Sequence, residues 1–341
     1  MRPAYWGTRR LLWRGRVRLY DGTGRLALMR KRETGAVRIL TYHGVCRDGD
    51  EHKPWIPHYF VTESLLDRHL TWLRQVGDIV SLSEAHDILT KPGGSSATAY
   101  VVTFDDGFYN NLNLAAPILK ARNVPATVFL ATGPIDAGGD VPTWIKARFL
   151  KHLRAQKVGF LQDDAHARVI TRGMRMELAT PREVEADIEP LWQASLDLIE
   201  ESAIDSTRLV SVEEVGLLAC EGMDLGAHTV SHPRLARVDA PDRRDELVRS
   251  VSRVRELTGI DAVPFAYPNG KPQDFGDSDI DILRELGVPL AVTTTPGANR
   301  PGVDLDPYRL FRLPVSGRRS RADFLAMVSG MYDWDRSVQP P

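Results

Sequence analysis

Tyr100-Val101-Val102-Thr103-Phe104-Asp105-Asp106-Gly107 is an apolar, β-branched run that stops abruptly on two acids and a glycine. A run of this length and composition reads as a buried strand. The adjacent carboxylates at its end repel each other, and the arrangement is costly unless a cation, a proton or hydrogen bonds offset the charge. Asp163-Asp164 is the internal contrast: it lies in a polar stretch with no strand before it and reads as solvated surface.

Runs of the same kind recur at Arg38–Tyr42, Ile79–Leu82, Ala126–Ala131, Asp224–Ala227, Val263–Tyr267, Leu290–Thr294 and Leu310–Val315. Between most of them lie segments with helical periodicity, among them Thr62–Val76, Asn113–Arg122, Ala240–Leu257 and Ile280–Leu286. Thr62 stands as a helix N-cap ahead of an amphipathic run. Strand–helix alternation repeated this often predicts a parallel α/β sheet, and about eight strands close most economically as a single distorted (β/α) barrel. An open doubly wound sheet is the alternative, but no G-x-G-x-x-G follows the first strand to support its nucleotide-binding form. In a barrel the C-terminal strand ends carry the active site, and Asp105 and Asp106 fall at such an end.

The rhythm breaks over residues 134–210, which hold charged, helix-like runs at Trp144–Arg154 and Pro181–Glu201. This stretch is expected to be a helical insertion over the barrel mouth, either shaping a substrate groove or serving as a structural lid. The chain then divides into a basic N-terminal arm (1–36), a barrel (37–317) and a C-terminal helix and tail (318–341). Lys91–Ser96 is a turn-rich connection within the barrel.

The 341 residues, 43% hydrophobic and 26% charged, suit one large soluble globular unit rather than a disordered or collagen-like chain. No stretch approaches the ~18 apolar residues of a membrane span. Cys46 and Cys220 are isolated, form no zinc-ribbon pattern and are expected to stay reduced. The net charge of -1 conceals an asymmetry: residues 1–38 carry eleven Arg/Lys against two acids, leaving 33 basic against 43 acidic in the rest. Arg14, Arg16 and Arg18 interrupt any apolar core of a leader, so no signal peptide is expected, and the localisation read from this is cytoplasmic. Trp6, Trp13, Val17 and Tyr20 share one helical face among arginines, a pattern suited to peripheral contact with an anionic inner membrane face, although Gly7 and Gly15 weaken the helix. The alternative is a basic extension that packs on the acidic body. No nucleic-acid partner is expected for so short an arm.

Three further strings carry candidate chemistry. Asp224–Pro233 contains His228 and His232 four apart, a spacing that in a helical turn puts both on one face toward a metal, though the spacing alone is weak. Pro264–Gly270 ends an aromatic strand in Pro-Asn-Gly, a turn able to aim a backbone N–H at a mouth-facing site or simply to end the strand. Thr41-Tyr42-His43-Gly44-Val45 places His43 at the end of the first strand, where a histidine is either structural or a candidate general acid.

Together these strings resemble the polysaccharide deacetylase superfamily, whose NodB-homology carbohydrate esterases act on chitin, peptidoglycan and exopolysaccharides. Thr103-Phe104-Asp105-Asp106-Gly107 matches its first motif and His228-Thr229-Val230-Ser231-His232-Pro233 its His-x-x-x-His motif, with the resemblance running over roughly residues 37–317. It implies a barrel of that type, Asp105 as catalytic base, and a divalent metal, zinc first, on Asp106, His228 and His232. It also implies an N-acetylated glycan substrate and places Asn269, through its backbone N–H, and Tyr267 beside the oxyanion and substrate. Two departures stand out. The arginine that the family carries beside the third-motif proline is Ala266 here, and no histidine follows His232 to act as the late general acid, which leaves His43 as the candidate. The Phe265-Ala266-Tyr267-Pro268 form and the Thr-Tyr-His start resemble the poly-N-acetylglucosamine subgroup. The alternatives are a hydrolase of the same barrel acting on a non-sugar amide or cyclic imide, and a non-catalytic metal- or glycan-binding member. Trp55, Tyr109 or Trp144 exposed in the groove would favour the sugar.

Overall fold

The computed structural model describes residues 35–91, 97–174, 181–302, 305–317 and 319–331; the expectations for residues 1–34 and for the tail from 332 lie outside the described residues. The strands are β1 (Val37–Tyr42), β2 (Val45–Cys46), β3 (Val61–Thr62), β4 (Asp78–Ile79), β5 (Ala99–Phe104), β6 (Ala126–Leu130), β7 (Asp224–Ala227), β8 (Phe265–Ala266), β9 (Ala291–Val292) and β10 (Arg312–Pro314). The longer helices are α1 (Glu63–Arg74), α2 (Leu82–Thr90), α3 (Thr143–Ala155), α4 (Asp164–Met174), α5 (Pro181–Gln193), α6 (Val212–Cys220), α7 (Ala240–Thr258), α8 (Asp277–Glu285) and α9 (Arg321–Val328). Capping side chains fix several helix starts: Thr62 accepts from the Leu65 N–H, and Ser81–Glu84 and Ser211–Glu214 form reciprocal capping boxes. Gly259, in a left-handed conformation at φ 69°, ends α7.

All strand pairs are parallel, in the order β10-β1-β5-β6-β7-β8-β9. The two ends of this path meet: the Thr293 N–H donates to Leu310 O (2.8 Å), and the Leu310 N–H donates to Ala291 O (3.1 Å). All eight expected runs lie in this sheet, but the ring uses seven of them. β4 pairs only with Ala99 and Tyr100 at the start of β5, while β6 takes Val102–Phe104.

Period-2 alternation sorts the strand residues into two layers. Val37, Ile39, Ala99, Val101, Phe129, Ala266 and Val292 form one cluster with Leu82, Ala85 and Leu89 of α2. Leu40, Tyr42, Tyr100, Val102 and Phe104 instead join the larger cluster shared with the surrounding helices. The same alternation continues through Thr103 to Asp105 on the inner side. The C-terminal helix belongs to the packed body: Phe324 stacks on His69 at 3.9 Å and Tyr100 Oη donates to Val328 O (3.0 Å). Within the stretch 134–210, where an insertion is expected, helices α3, α4 and α5 share a core of their own around Leu150, Ile170 and Ile188. Among the described residues no helix is long and apolar enough to cross a membrane, and Cys46 and Cys220 form no disulfide.

The barrel interior has no spare volume at β7. A Cβ on Gly226 would lie 2.5 Å from the Phe129 ring and 2.8 Å from Pro264 O. Gly226→Ala is expected to lower stability by about 1–3 kcal/mol through overpacking. The measurement is the urea midpoint at unchanged m, and an unchanged midpoint would show that the interior yields.

Candidate active site and metal centre

β5 delivers Asp105 into the barrel, where its partner comes from β10. Arg312, with no exposed surface, donates from Nη1 to Asp105 Oδ1 (2.6 Å) and from Nη2 to Asp105 Oδ2 (2.7 Å). The rest of the guanidinium is held by Thr293 O (2.7 Å) and Thr103 Oγ1 (3.2 Å). Burial alone would raise the pKa of Asp105, but the Arg312 charge, His228 and the bidentate bonds overcome it and bring it down to about 2. The absence of an arginine at position 266 is thus made good from another strand. Sequence reading missed Arg312; its signal was an arginine inside the apolar run Leu310–Val315.

Asp106 is the next residue, yet its environment is the opposite. The chain turns off the strand through left-handed residues, Asp106 at φ 75° and Gly107 at φ 86°. A side chain at 107 would also press on Leu130, 2.9 Å from the ideal Cβ. Burial and the neighbouring Asp105 charge hold the Asp106 carboxyl well above the usual carboxylate range. Its buried Oδ1 has no hydrogen-bond partner. It faces His228 Nε2 at 3.6 Å and His232 Nε2 at 3.4 Å, and the three ligand atoms lie within 4.8 Å of one another. Those separations are long for hydrogen bonds but close to the ~3.3 Å edge of a tetrahedron with metal–ligand distances near 2.0 Å. His228 Nδ1 lies 2.7 Å from Ala266 O; a carbonyl only accepts, so Nδ1 carries the proton and Nε2 keeps its lone pair. Burial lowers the pKa of both histidines, keeping them neutral and able to ligate. The donor set fits a divalent cation.

The histidines do not sit on a helix, as the spacing suggested. Residues 228–232 form an irregular loop after β7 in which Thr229 (φ 65°) and His232 (φ 57°) are left-handed. The loop is fastened from several sides: the Thr132 N–H donates to Thr229 O (3.1 Å) and the Gly133 N–H to Val230 O (2.8 Å). Glu246, from the face of α7 that periodicity alone leaves unassigned, accepts from the Val230 and Ser231 N–H groups.

His43 lies beside the same cluster, electrostatically coupled to Asp105, Arg312 and His228, and burial lowers its pKa to about 4. It is therefore neutral at rest, with a buried Nδ1 that has no hydrogen-bond partner. Asn111 Nδ2 donates to His43 O (2.8 Å) from a turn of π-helix over Asn111–Ala115, a local distortion frequent at functional sites. The His43 ring packs on Tyr59 (4.8 Å), whose Oη accepts from Trp144 Nε1 (3.0 Å); the Trp144 ring then meets His232 at 5.0 Å. Of the three expected sugar-facing aromatics only Trp144 reaches the cluster. Trp55 stacks on Phe149 at 5.2 Å, and Tyr109 lies under the Arg208 guanidinium at 3.7 Å.

Asn269 is exposed and left-handed (φ 58°) at the end of β8, and among the described residues its N–H has no acceptor. Tyr267 requires a correction. It is fully buried, stacks on Phe275 at 3.8 Å and donates to Tyr308 O (3.1 Å), so its side chain supports the turn from beneath and presents no surface to the mouth.

A profile of the polysaccharide deacetylase family matches residues 93–291, more than half of the chain. The chain belongs to the polysaccharide deacetylase family. Among its deacetylase relatives, YxkH of Bacillus subtilis, which carries the same family name, is 20% identical over 294 residues, 86% of this chain and 76% of that protein. The Streptococcus pyogenes deacetylase PplD, solved in complex with acetate, aligns at TM-score 0.58 and 19% identity over 86% of this chain and 97% of its own. IcaB from Ammonifex degensii aligns at TM-score 0.54 and 21% identity over 86% and 96%. Identities this low speak for the shared α/β fold; the family match places the chain among carbohydrate deacetylases.

In this deacetylase the Arg312–Asp105 pair sets a pH-dependent stability. The folded pKa of Asp105, about 2, is below its ordinary 3.8. The pair's stabilisation is therefore complete above about pH 4 and lost as pH falls through about 2. Arg312→Met, which strands a buried carboxylate, is expected to cost about 3–5 kcal/mol near neutrality. The gap from wild type should narrow on acidification, as read from urea unfolding across pH; a gap that stays constant would refute the linkage.

Proposed function

We propose that this deacetylase hydrolyses the N-acetyl amide of an N-acetylated sugar within an oligo- or polysaccharide of the poly-N-acetylglucosamine type and releases acetate. On this reading zinc sits on Asp106, His228 and His232, and Asp105 is the base. The observation that carries it is the division of labour between two adjacent acids. Asp105 is held ionised by Arg312, while Asp106 points a partnerless oxygen at two imidazole Nε2 atoms.

The cation, when bound, supplies a Lewis acid for the acetyl carbonyl and lowers the pKa of a water. Asp105 takes the proton of the attacking water, and the fixed guanidinium keeps its carboxylate aimed without reorganisation. On the same reading the Asn269 N–H, which has no acceptor among the described residues, donates to the developing oxyanion. His43, neutral at rest because burial lowers its pKa, relays to the departing amine the proton that Asp105 has taken from the water, which returns Asp105 to its ionised form. Trp144 and Tyr59 supply half-buried aromatic surface beside the metal ligands, which suits the apolar C–H face of a pyranose.

Acetate release from N-acetylglucosamine oligomers should be abolished by chelator and restored by zinc. Asp105→Asn should reduce release about 10²–10⁴-fold with zinc still bound, and His228→Ala should lose both. Trp144→Ala should raise KM more than it lowers kcat. Full activity in Asp105→Asn would remove the base assignment, and activity that survives chelation would remove the metal. Zinc affinity itself should rise with pH above the ordinary carboxylate range, because Asp106, whose carboxyl is held protonated by burial and by the Asp105 charge, must give up a proton to ligate, while burial keeps both imidazoles neutral. A flat affinity profile by competition titration would contradict that charge state.

A further inference from the structure

We infer that Glu246 is a positioning residue that holds the metal-ligand loop in shape, and that the affinity of the Asp106–His228–His232 cluster for its cation depends on it. The inference rests on the metal reading above. Glu246 lies within α7 and is 7% exposed. Its Oε2 accepts from the Val230 N–H (2.8 Å) and the Ser231 N–H (2.9 Å), and its Oε1 accepts from Ser231 Oγ (2.6 Å). These are the residues between the two histidines. Among the described residues Glu246 has no ion-pair partner, so its three hydrogen bonds into this loop are what offset its burial.

The loop needs such a group. Thr229 and His232 are both left-handed, and Thr is β-branched, so each position costs on the order of 1–3 kcal/mol. Conformations like these persist only where surroundings over-determine them. The loop's carbonyls at Thr229 and Val230 are already engaged by Thr132 and Gly133 on the β6 side. Its N–H groups at Val230 and Ser231 turn the other way, to α7. A carboxylate can accept three donors at once, which a hydroxyl or a single carbonyl in this place cannot match. Glu246 thus grips the loop from the side opposite β6, and the two histidine Nε2 atoms converge on Asp106 as a result. Partners of this kind, one layer behind the ligands, set metal affinity by about 10–100-fold.

The test uses the full chain stripped of metal, with Glu246→Ala, Glu246→Gln, Ser231→Ala and the exposed neighbour Asp245→Ala as control. Zinc affinity is read by competition with a chromophoric chelator, and geometry by the visible spectrum of the cobalt-loaded protein. Glu246→Ala should weaken zinc binding about 10–100-fold and alter the cobalt spectrum, while the metal-free protein keeps its near-UV circular dichroism. Glu246→Gln should rescue most of the affinity, because its carbonyl can still accept both N–H groups and its amide can donate to Ser231 Oγ. Ser231→Ala, which removes one bond of three and leaves Glu246 intact, should give a smaller loss in the same direction and stands in if Glu246→Ala does not fold. Wild-type zinc affinity in Glu246→Ala, or in Ser231→Ala where that variant stands in, overturns the inference alone. So does a Glu246→Gln protein as weak as Glu246→Ala, since charge rather than position would then be at work. A wild-type chain that binds neither zinc nor cobalt overturns the metal reading and this inference with it.

Discussion

A guanidinium and a carboxylate share the interior of a parallel barrel, and the rest of the site follows from how they are arranged. A buried pair of this kind contributes less to stability than well-packed apolar residues of the same volume. Its consequence lies in charge. With both Asp105 oxygens engaged by Arg312, Asp105 stays ionised, and an ionised Asp105 makes a second, unpaired carboxylate beside it unfavourable. Asp106 then either holds a proton or shares its charge with a cation, and its Oδ1 faces two neutral imidazoles. Sequence presents the two acids as equivalent neighbours. Arg312 breaks that symmetry and decides which acid can serve as base and which can serve as ligand.

Backbone strain gathers at the same place. Of the six described non-glycine residues with positive φ, Asp106, Thr229, His232 and Asn269 follow the C-terminal ends of β5, β7 and β8. Left-handed turns are what let a strand end present its last side chain across the mouth instead of continuing outward. They cost free energy locally, and the surrounding hydrogen bonds from Thr132, Gly133 and Glu246 meet that cost. The ligand geometry is therefore a property of the loop's fastenings as much as of the histidines themselves.

Much of this was legible in the chain, for identifiable reasons. Seven of the eight apolar runs supply the strands of the ring, because buried parallel strands are near-continuously apolar, while Ile79–Leu82 enters the sheet only at Ile79 and then starts α2. Asp105, Asp106, His228 and His232 announce themselves by charge at strand ends. What failed to show depends on non-local closure. Arg312 reads as an outward arginine in a short strand until β10 is set beside β1, in register with Ile39. Glu246 is one of several charges on a 19-residue helix, and only tertiary packing reveals which of them is buried. The i, i+4 histidine spacing suggested a helix because periodicity carries no information about left-handed residues. Tyr267 belongs to the outer layer by the same alternation that puts Ala266 in the interior. The small residue at 266 also fits the interior cluster that Arg312 enters over the Phe129 ring.

The helical insertion is bound into this arrangement more closely than a separate lid would be. Trp144 stands at the start of α3, and two residues on, Lys146 is buried between Asp140 and Glu189, its ammonium 5.7 Å from the Trp192 ring. That internal staple fixes the first turn of α3 to α5, while Trp55 on Phe149 and Trp144 on Tyr59 fix the helix to the segment after β2. Trp144 is thereby held against His232 from both sides. The insertion has a second core of its own around Leu150 and Ile188, but Phe149 and Trp192 lie in the main core, and Trp55, Tyr59 and Trp144 pack against it, so this wall is continuous with the barrel. The strand ends set the charges, and the start of α3, through Trp144, supplies the aromatic wall beside His232.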